Sequence, residues 1–149
     1  FNRGISVTQG NIVNSRGYIY SGGNVLRDFR TNTAITTDGP ATWTAAQLLS
    51  GYVTRTNSAS GVFNTATDVL PTAVNLVAAI PGAAAGMSFM TIVDMTTTPS
   101  LTLTLNGAST GVTYTGGCGT GMATSDVMLL MINITSTTAY RAVCLNVNT

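Results

Sequence analysis

The sequence predicts a mainly β fold: an antiparallel β-sandwich of jelly-roll type with one or two short helices, preceded by a shaft-like arm of short strands. Three observations carry this expectation. Leu101, Leu103 and Leu105 alternate with Thr102 and Thr104, the period-two pattern of a strand with one buried and one wet face. Short apolar runs separated by Gly- and Asn-containing turns recur from residue 88 onward, at the spacing of a sandwich. Against them stands one well-signalled helix, Leu70 to Gly82.

Residues 1–30 carry a faint repeat. Ile5, Ile12, Ile19 and Leu26 recur every seven residues, and Gly4, Gly10, Gly17 and Gly23 at six or seven. Gly, Asn and Ser fill the intervals, so a coiled coil is disfavoured. The pattern fits very short strands joined by glycine turns, with one apolar side chain per rung. So narrow an element cannot bury its own apolar groups and needs partner chains, as in an intertwined shaft; the same repeat also fits a loose meander or an extended arm. Residues 31–43 look like a connector, with Asp38-Gly39-Pro40 as a turn. Residues 44–149 form the expected sandwich domain.

Within that domain, Thr44 caps a helical turn or two that Ser50-Gly51 closes. Tyr52 to Arg55 is a short strand. In the main helix Thr72 supplies the cap, while Ala73, Leu76, Val77 and Ile80 make one apolar stripe. Pro81 and Gly82 stop it. So short and uncharged a helix is marginal alone and must lie on something apolar. Ser88 to Met95 and Val127 to Ile134 are apolar on both faces, as inner strands are. Val112 and Tyr114 alternate with Thr, and Tyr140 to Val147 forms another strand. The glycine-rich run 116–121 is expected as a flexible hairpin tip.

Composition narrows the function. Of 149 residues 44% are apolar, enough for a core, but only 7% are charged, against about 25% in an ordinary soluble domain. The charges are Arg and Asp alone, summing to +1, so no nucleic-acid footprint exists. A nearly neutral Thr/Ser/Asn/Gly surface suits a protein packed among copies of itself or facing outward in a particle. No run is apolar and long enough to span a membrane as a helix, and no signal peptide is visible. Phe1 in place of Met implies a processed or excised piece. Cys118 and Cys144 permit at most one internal disulfide and read most simply as small buried or turn residues.

Without His, Lys or Glu, catalytic triads, His-ligated metals, Schiff bases and P-loop chemistry are excluded. The five carboxylates, Asp28, Asp38, Asp68, Asp94 and Asp126, are scattered and read as surface or turn residues. The expectation is a non-enzyme without cofactor or metal. Asn133-Ile134-Thr135 matches a glycosylation sequon but reads as an ordinary strand-end Asn. Trp43, Tyr52 and Tyr114 are candidate surface aromatics for stacking on sugars, although each also suits core or interface packing.

The doubly apolar strands raise a packing problem. If Met128, Leu130, Ile132 and Ile134 face the core, then Val127, Leu129 and Met131 face elsewhere. The main helix is expected to cover part of that second face and a neighbouring copy the rest. Val127, Leu129 and Met131, with Ile5, Ile12, Ile19 and Leu26 in the arm, are therefore the candidate oligomer interface.

The segments Thr44 to Gly51, Leu70 to Ala73, Ala79 to Gly82, Gly86 to Phe89, Gly111 to Thr113, Asn133 to Ser136 and Tyr140 to Val143 resemble the C-terminal head domain of collagen-like and fibre-like structural proteins of giant DNA viruses and related phages. The likeness spans roughly residues 44–147. It implies a homotrimeric β-sandwich at a fibre or spike tip on the virion surface, partnered by other virion proteins and by a host surface glycan or protein. No Gly-X-Y repeat is present. The alternative expectation is the carbohydrate-binding tip of a bacterial cell-surface adhesin.

Overall fold

A computed structural model describes residues 18–21, 24–27, 31–56, 65–95, 102–123 and 126–147. In chain order the elements are β1 (Tyr18–Ser21), β2 (Asn24–Arg27), β3 (Thr31–Ile35), α1 (Ala45–Leu48), β4 (Gly51–Arg55), β5 (Thr65–Thr67), α2 (Ala73–Ala78), β6 (Ser88–Asp94), β7 (Thr102–Thr104), β8 (Val112–Gly116), β9 (Val127–Ser136) and β10 (Ala139–Val147). The fold is mainly β, and its centre is a six-stranded sheet in the order β3-β4-β6-β9-β10-β8. β5 and β7 form a separate two-stranded sheet.

The large sheet is mixed rather than antiparallel. β3–β4, β4–β6 and β8–β10 pair in parallel, and β6–β9 and β9–β10 antiparallel. The reason lies in the connections. Parallel neighbours need a crossover; α1 lies between β3 and β4, and α2 lies between β4 and β6. Each crossover returns the chain to the end from which it started. β3 also changes the expected boundaries: residues 31–35 belong to the sheet edge, which leaves residues 36–43 as the connector.

Of the arm, β1 and β2 form an antiparallel pair whose register sets Ile19 opposite Leu26. Both strands have four residues. β2 lies near β6. Ile5, Ile12 and Asp28 lie outside the described residues.

Both helices start where the sequence places them. Thr44 and Gln47 complete a capping box on α1, and Thr72 accepts from the Asn75 N–H at the start of α2. Ala73 and Leu76 are fully buried, Ile80 is buried and Val77 packs beside them. α2 sits on the core side of the sheet, where the Tyr140 hydroxyl donates to the Pro71 carbonyl at 2.6 Å. α1 is anchored to the same side by Thr91 Oγ1 donating to the Leu48 carbonyl at 2.6 Å. The expectation that α2 covers the second face of β9 is therefore wrong: its apolar stripe is matched by the core face, which already buries Met128, Leu130, Ile132 and Ile134.

The glycine-rich run is not a flexible tip. Gly117–Gly119 forms a 3-10 turn. Cys118 within it is disulfide-bonded to Cys144 of β10, and both cysteines are buried.

Candidate functional site

The sheet side chains that face away from the core include four of the five large apolar side chains exposed among the described residues. Strand alternation sends Val127, Leu129, Met131 and Asn133 of β9 outward while their even-numbered neighbours are buried. The register aligns the outward residues of adjacent strands. Ile92 of β6, Leu129 and Leu145 of β10 share one row. Met90, Met131 and Val143 share the row on one side of it, and Asp94, Val127 and Val147 the row on the other. Met90, Met131, Leu145 and Val147 are 43%, 45%, 60% and 49% exposed, even with β1 and β2 present. The patch spans three strands and three rows. At about 4.8 Å between strands and 3.3 Å per residue it covers about 300 Å² once side-chain width is included. That is the low end of the largest apolar patch on a typical monomer, about 300–600 Å², which is often functional.

Polar groups rim the patch. At one end Ser88, Asn133, Arg141 and Thr113 make a row; Asn133 Nδ2 donates to Ser88 Oγ at 2.8 Å, which occupies the sequon amide. At the β4 side the Tyr52 hydroxyl donates to Asp94 Oδ2. That bond raises the Tyr52 pKa above the usual tyrosine value, with help from burial and from the Asp94 charge. Asp94 and Asp126 are buried rather than on the surface. Asp126 accepts from the Ala123 N–H at 2.7 Å and so closes a local turn.

Of the candidate aromatics, Trp43 is not a surface residue. It is 1% exposed, and its indole N–H donates to Asp68 Oδ2 at 2.9 Å. Tyr52 and Tyr114 are partly buried. The Tyr114 hydroxyl donates to the Gly107 carbonyl at 2.9 Å and accepts from the Leu70 N–H. Burial raises its pKa, and the Leu70 bond opposes that rise. The three aromatics thus do not converge on one exposed platform.

The strongest polar cluster escaped the sequence. Arg55 and Asp68, both fully buried, form an ion pair at 2.8 Å, with a second contact from Nη2 to Oδ1 at 3.3 Å. Arg55 Nη1 also donates to the Thr37 and Thr56 carbonyls and Nη2 to the Gly39 carbonyl. All five guanidinium N–H groups thereby find acceptors. Asp68 Oδ1 further accepts from the Ala41 N–H at 2.8 Å. The expected surface or turn role of Asp68 is thus replaced by a saturated buried network that ties residues 37–43 to β4 and to the end of β5. A spacing of 13 residues between Arg and Asp carries no motif; strand ends brought together by the crossovers create the pair.

Among the described residues no group of three His, Cys, Asp or Glu could hold a metal ion, and no helix is long and apolar enough to cross a membrane. No protein-family model, curated protein or solved structure matches the chain.

Proposed function

We propose that this chain is a virion structural protein: a trimeric fibre, spike or decoration head domain that assembles through its outward sheet face and serves host attachment at the virion surface. In this reading the large sheet is one layer of a jelly-roll-like sandwich, and β5, β7 and the helices supply the other. The open apolar face supports the reading most directly. Val127, Leu129 and Met131 lie in it beside Met90, Leu145 and Val147, and its polar rim, which includes Arg141 and Asp94, resembles the edge of a subunit interface. Burying the half of each such side chain that is still exposed favours association by about 0.8–1.5 kcal/mol. The low charge of the surface and the buried disulfide agree with a protein that works outside a reducing cytosol. The likeness to viral fibre heads argues for three copies. No cofactor and no chemistry are invoked.

Light scattering on the full chain tests the assembly. The expected result is three times the chain mass at micromolar concentration, with Leu129→Asp shifting it to one chain while circular dichroism is retained. A wild-type monomer would remove the interface, and a dimer would remove the trimer.

A further inference from the structure

We infer that β8 is a docking edge for a second copy of this chain, which adds its own β8 antiparallel across a two-fold axis. Such pairing is separate from the face-to-face assembly proposed above and does not depend on it. β8 ends the large sheet, with β10 as its neighbour there. Thr113, Thr115 and Gly116 are exposed, and Val112 and Tyr114 are half-buried. A strand with one free side displays the N–H and C=O groups of every second residue.

The register says which groups these are. The Tyr140 N–H donates to the Gly111 carbonyl at 2.9 Å, and Tyr140 lies beside Val112. In a parallel ladder of that phase Thr113 and Thr115 bond to β10. The N–H groups of Tyr114 and Gly116 and the carbonyls of Val112 and Tyr114 turn to the free side, where they have no hydrogen-bond partner among the described residues. The display stops at both ends. The Val112 N–H folds back to the Ser109 carbonyl at 3.2 Å. Gly116, at φ 69° and ψ −142°, turns the chain out of the strand. A Cβ there would come within 2.6 Å of the Cys144 carbonyl oxygen, so the position stays bare.

These free groups are complementary to themselves. With Tyr114 opposite the other copy's Tyr114, the two exchange N–H and carbonyl, and each Gly116 N–H meets the other copy's Val112 carbonyl. Val112 falls opposite Gly116, whose missing side chain leaves it room. On the outward face Thr113 falls opposite the other copy's Thr115, a favourable cross-strand pair. Nothing in β8 guards against this. Natural sheets blunt an open edge with charge, proline or a bulge. No charged residue lies between Asp94 and Asp126 in the sequence, β8 has no proline, and its ladder with β10 runs without a register shift. Arg141 stands one strand in, beside Thr113, so no like charges oppose each other across the junction. The pairing joins two six-stranded sheets edge to edge. So short a contact is weak alone, with a Kd of about 1 mM, and gains strength where one assembly presents several such edges.

The test uses the full chain carrying Leu129→Asp, so that the outward face contributes nothing. Directly opposed residues of an antiparallel pair have Cα atoms about 4.5–5.5 Å apart, within disulfide reach, whereas diagonal ones lie about 7–8 Å apart. Thr113→Cys and Thr115→Cys are made in separate chains, mixed in equal amounts at about 0.5 mM and oxidised mildly. The expected result is a crosslink between positions 113 and 115 at least about fivefold more abundant than 113–113 or 115–115. No crosslink, or same-residue crosslinks in comparable yield, overturns the inference. A second measurement needs no new cysteine. The amide NMR signals of Tyr114 and Gly116 should move between about 0.05 and 1 mM chain. Thr113→Lys/Thr115→Lys, which sets like charges opposite each other, should abolish that movement with circular dichroism unchanged. Signals that stay fixed with concentration also overturn the inference. The mass of the wild-type chain at micromolar concentration reports on the face-to-face trimer alone, so either idea can fail without the other.

Discussion

Replacing Asp68 with Ala probes the buried network most sharply. The carboxylate holds four donors: Arg55 Nε, Arg55 Nη2, the Trp43 indole N–H and the Ala41 N–H. Its removal leaves a guanidinium charge in a site from which water is excluded, since Arg55 is 0% exposed. Removing one partner of a buried pair costs about 3–5 kcal/mol, and each neutral donor left without an acceptor adds about 1–3 kcal/mol. The parts overlap, because the site relaxes, so a loss of about 5 kcal/mol is expected. That is comparable to the whole stability of a marginal domain, about 5–15 kcal/mol. Trp43 is the sole tryptophan and contacts Asp68 itself, so urea unfolding followed by its fluorescence reads the site directly. Asp68→Asn keeps one acceptor and the shape of the side chain; it is expected to fold with a loss of about 3 kcal/mol. If Asp68→Ala costs less than about 1.5 kcal/mol, the network is not what pins residues 37–43.

Two further outcomes concern buried groups elsewhere in the sheet. Burial, and secondarily the nearby Tyr114, raises the Tyr140 pKa far above its usual 10.0. The folded state therefore holds that proton more tightly than the unfolded state, so the contribution is complete below about pH 10 and is lost as pH rises beyond it, at up to about 1.4 kcal/mol per pH unit. Urea midpoints measured across that window should fall less steeply in Tyr140→Phe, and equal slopes would count against a buried protonated phenol. The Cys118–Cys144 bond closes a sequence separation of 26, worth about 3.5 kcal/mol on the chain-entropy estimate. Cys118→Ala/Cys144→Ala should lose about that much, with hydrogen exchange rising first in β8; a loss below about 1 kcal/mol would show that packing alone holds the edge.

Local rules in the sequence carried the elements, and long-range ones escaped it. Thr44, Thr72 and the stripe Ala73, Leu76, Ile80 are short-range signals, and the helices form where they point. The alternation in Val127 to Ile134 assigned each side chain to a face, because period two is a property of one strand. Strand order is not such a property. That β4 lies between β3 and β6, in parallel with both, depends on the crossovers through α1 and α2. Propensity alone does not distinguish that arrangement from an antiparallel one. The extent of the open face was legible in part: Val127, Leu129 and Met131 are set by β9 itself, while Met90, Leu145 and Val147 join only once register is known. Asp68 looked like a turn carboxylate because its partners lie at positions 41, 43 and 55, and no spacing rule connects them.

The place of β8 bears on how the chain is made. Its partner in the large sheet is β10, some thirty residues further along the sequence, and the cysteine bridge joins the same two regions. During synthesis Val112–Gly116 must wait, unpaired, until Ala139–Val147 has left the ribosome. A nascent polypeptide halted before that point can close neither the edge nor the crosslink, and it keeps a sticky strand on display. Strand pairing and crosslink at this side of the sheet therefore form together, and only after β10 has emerged.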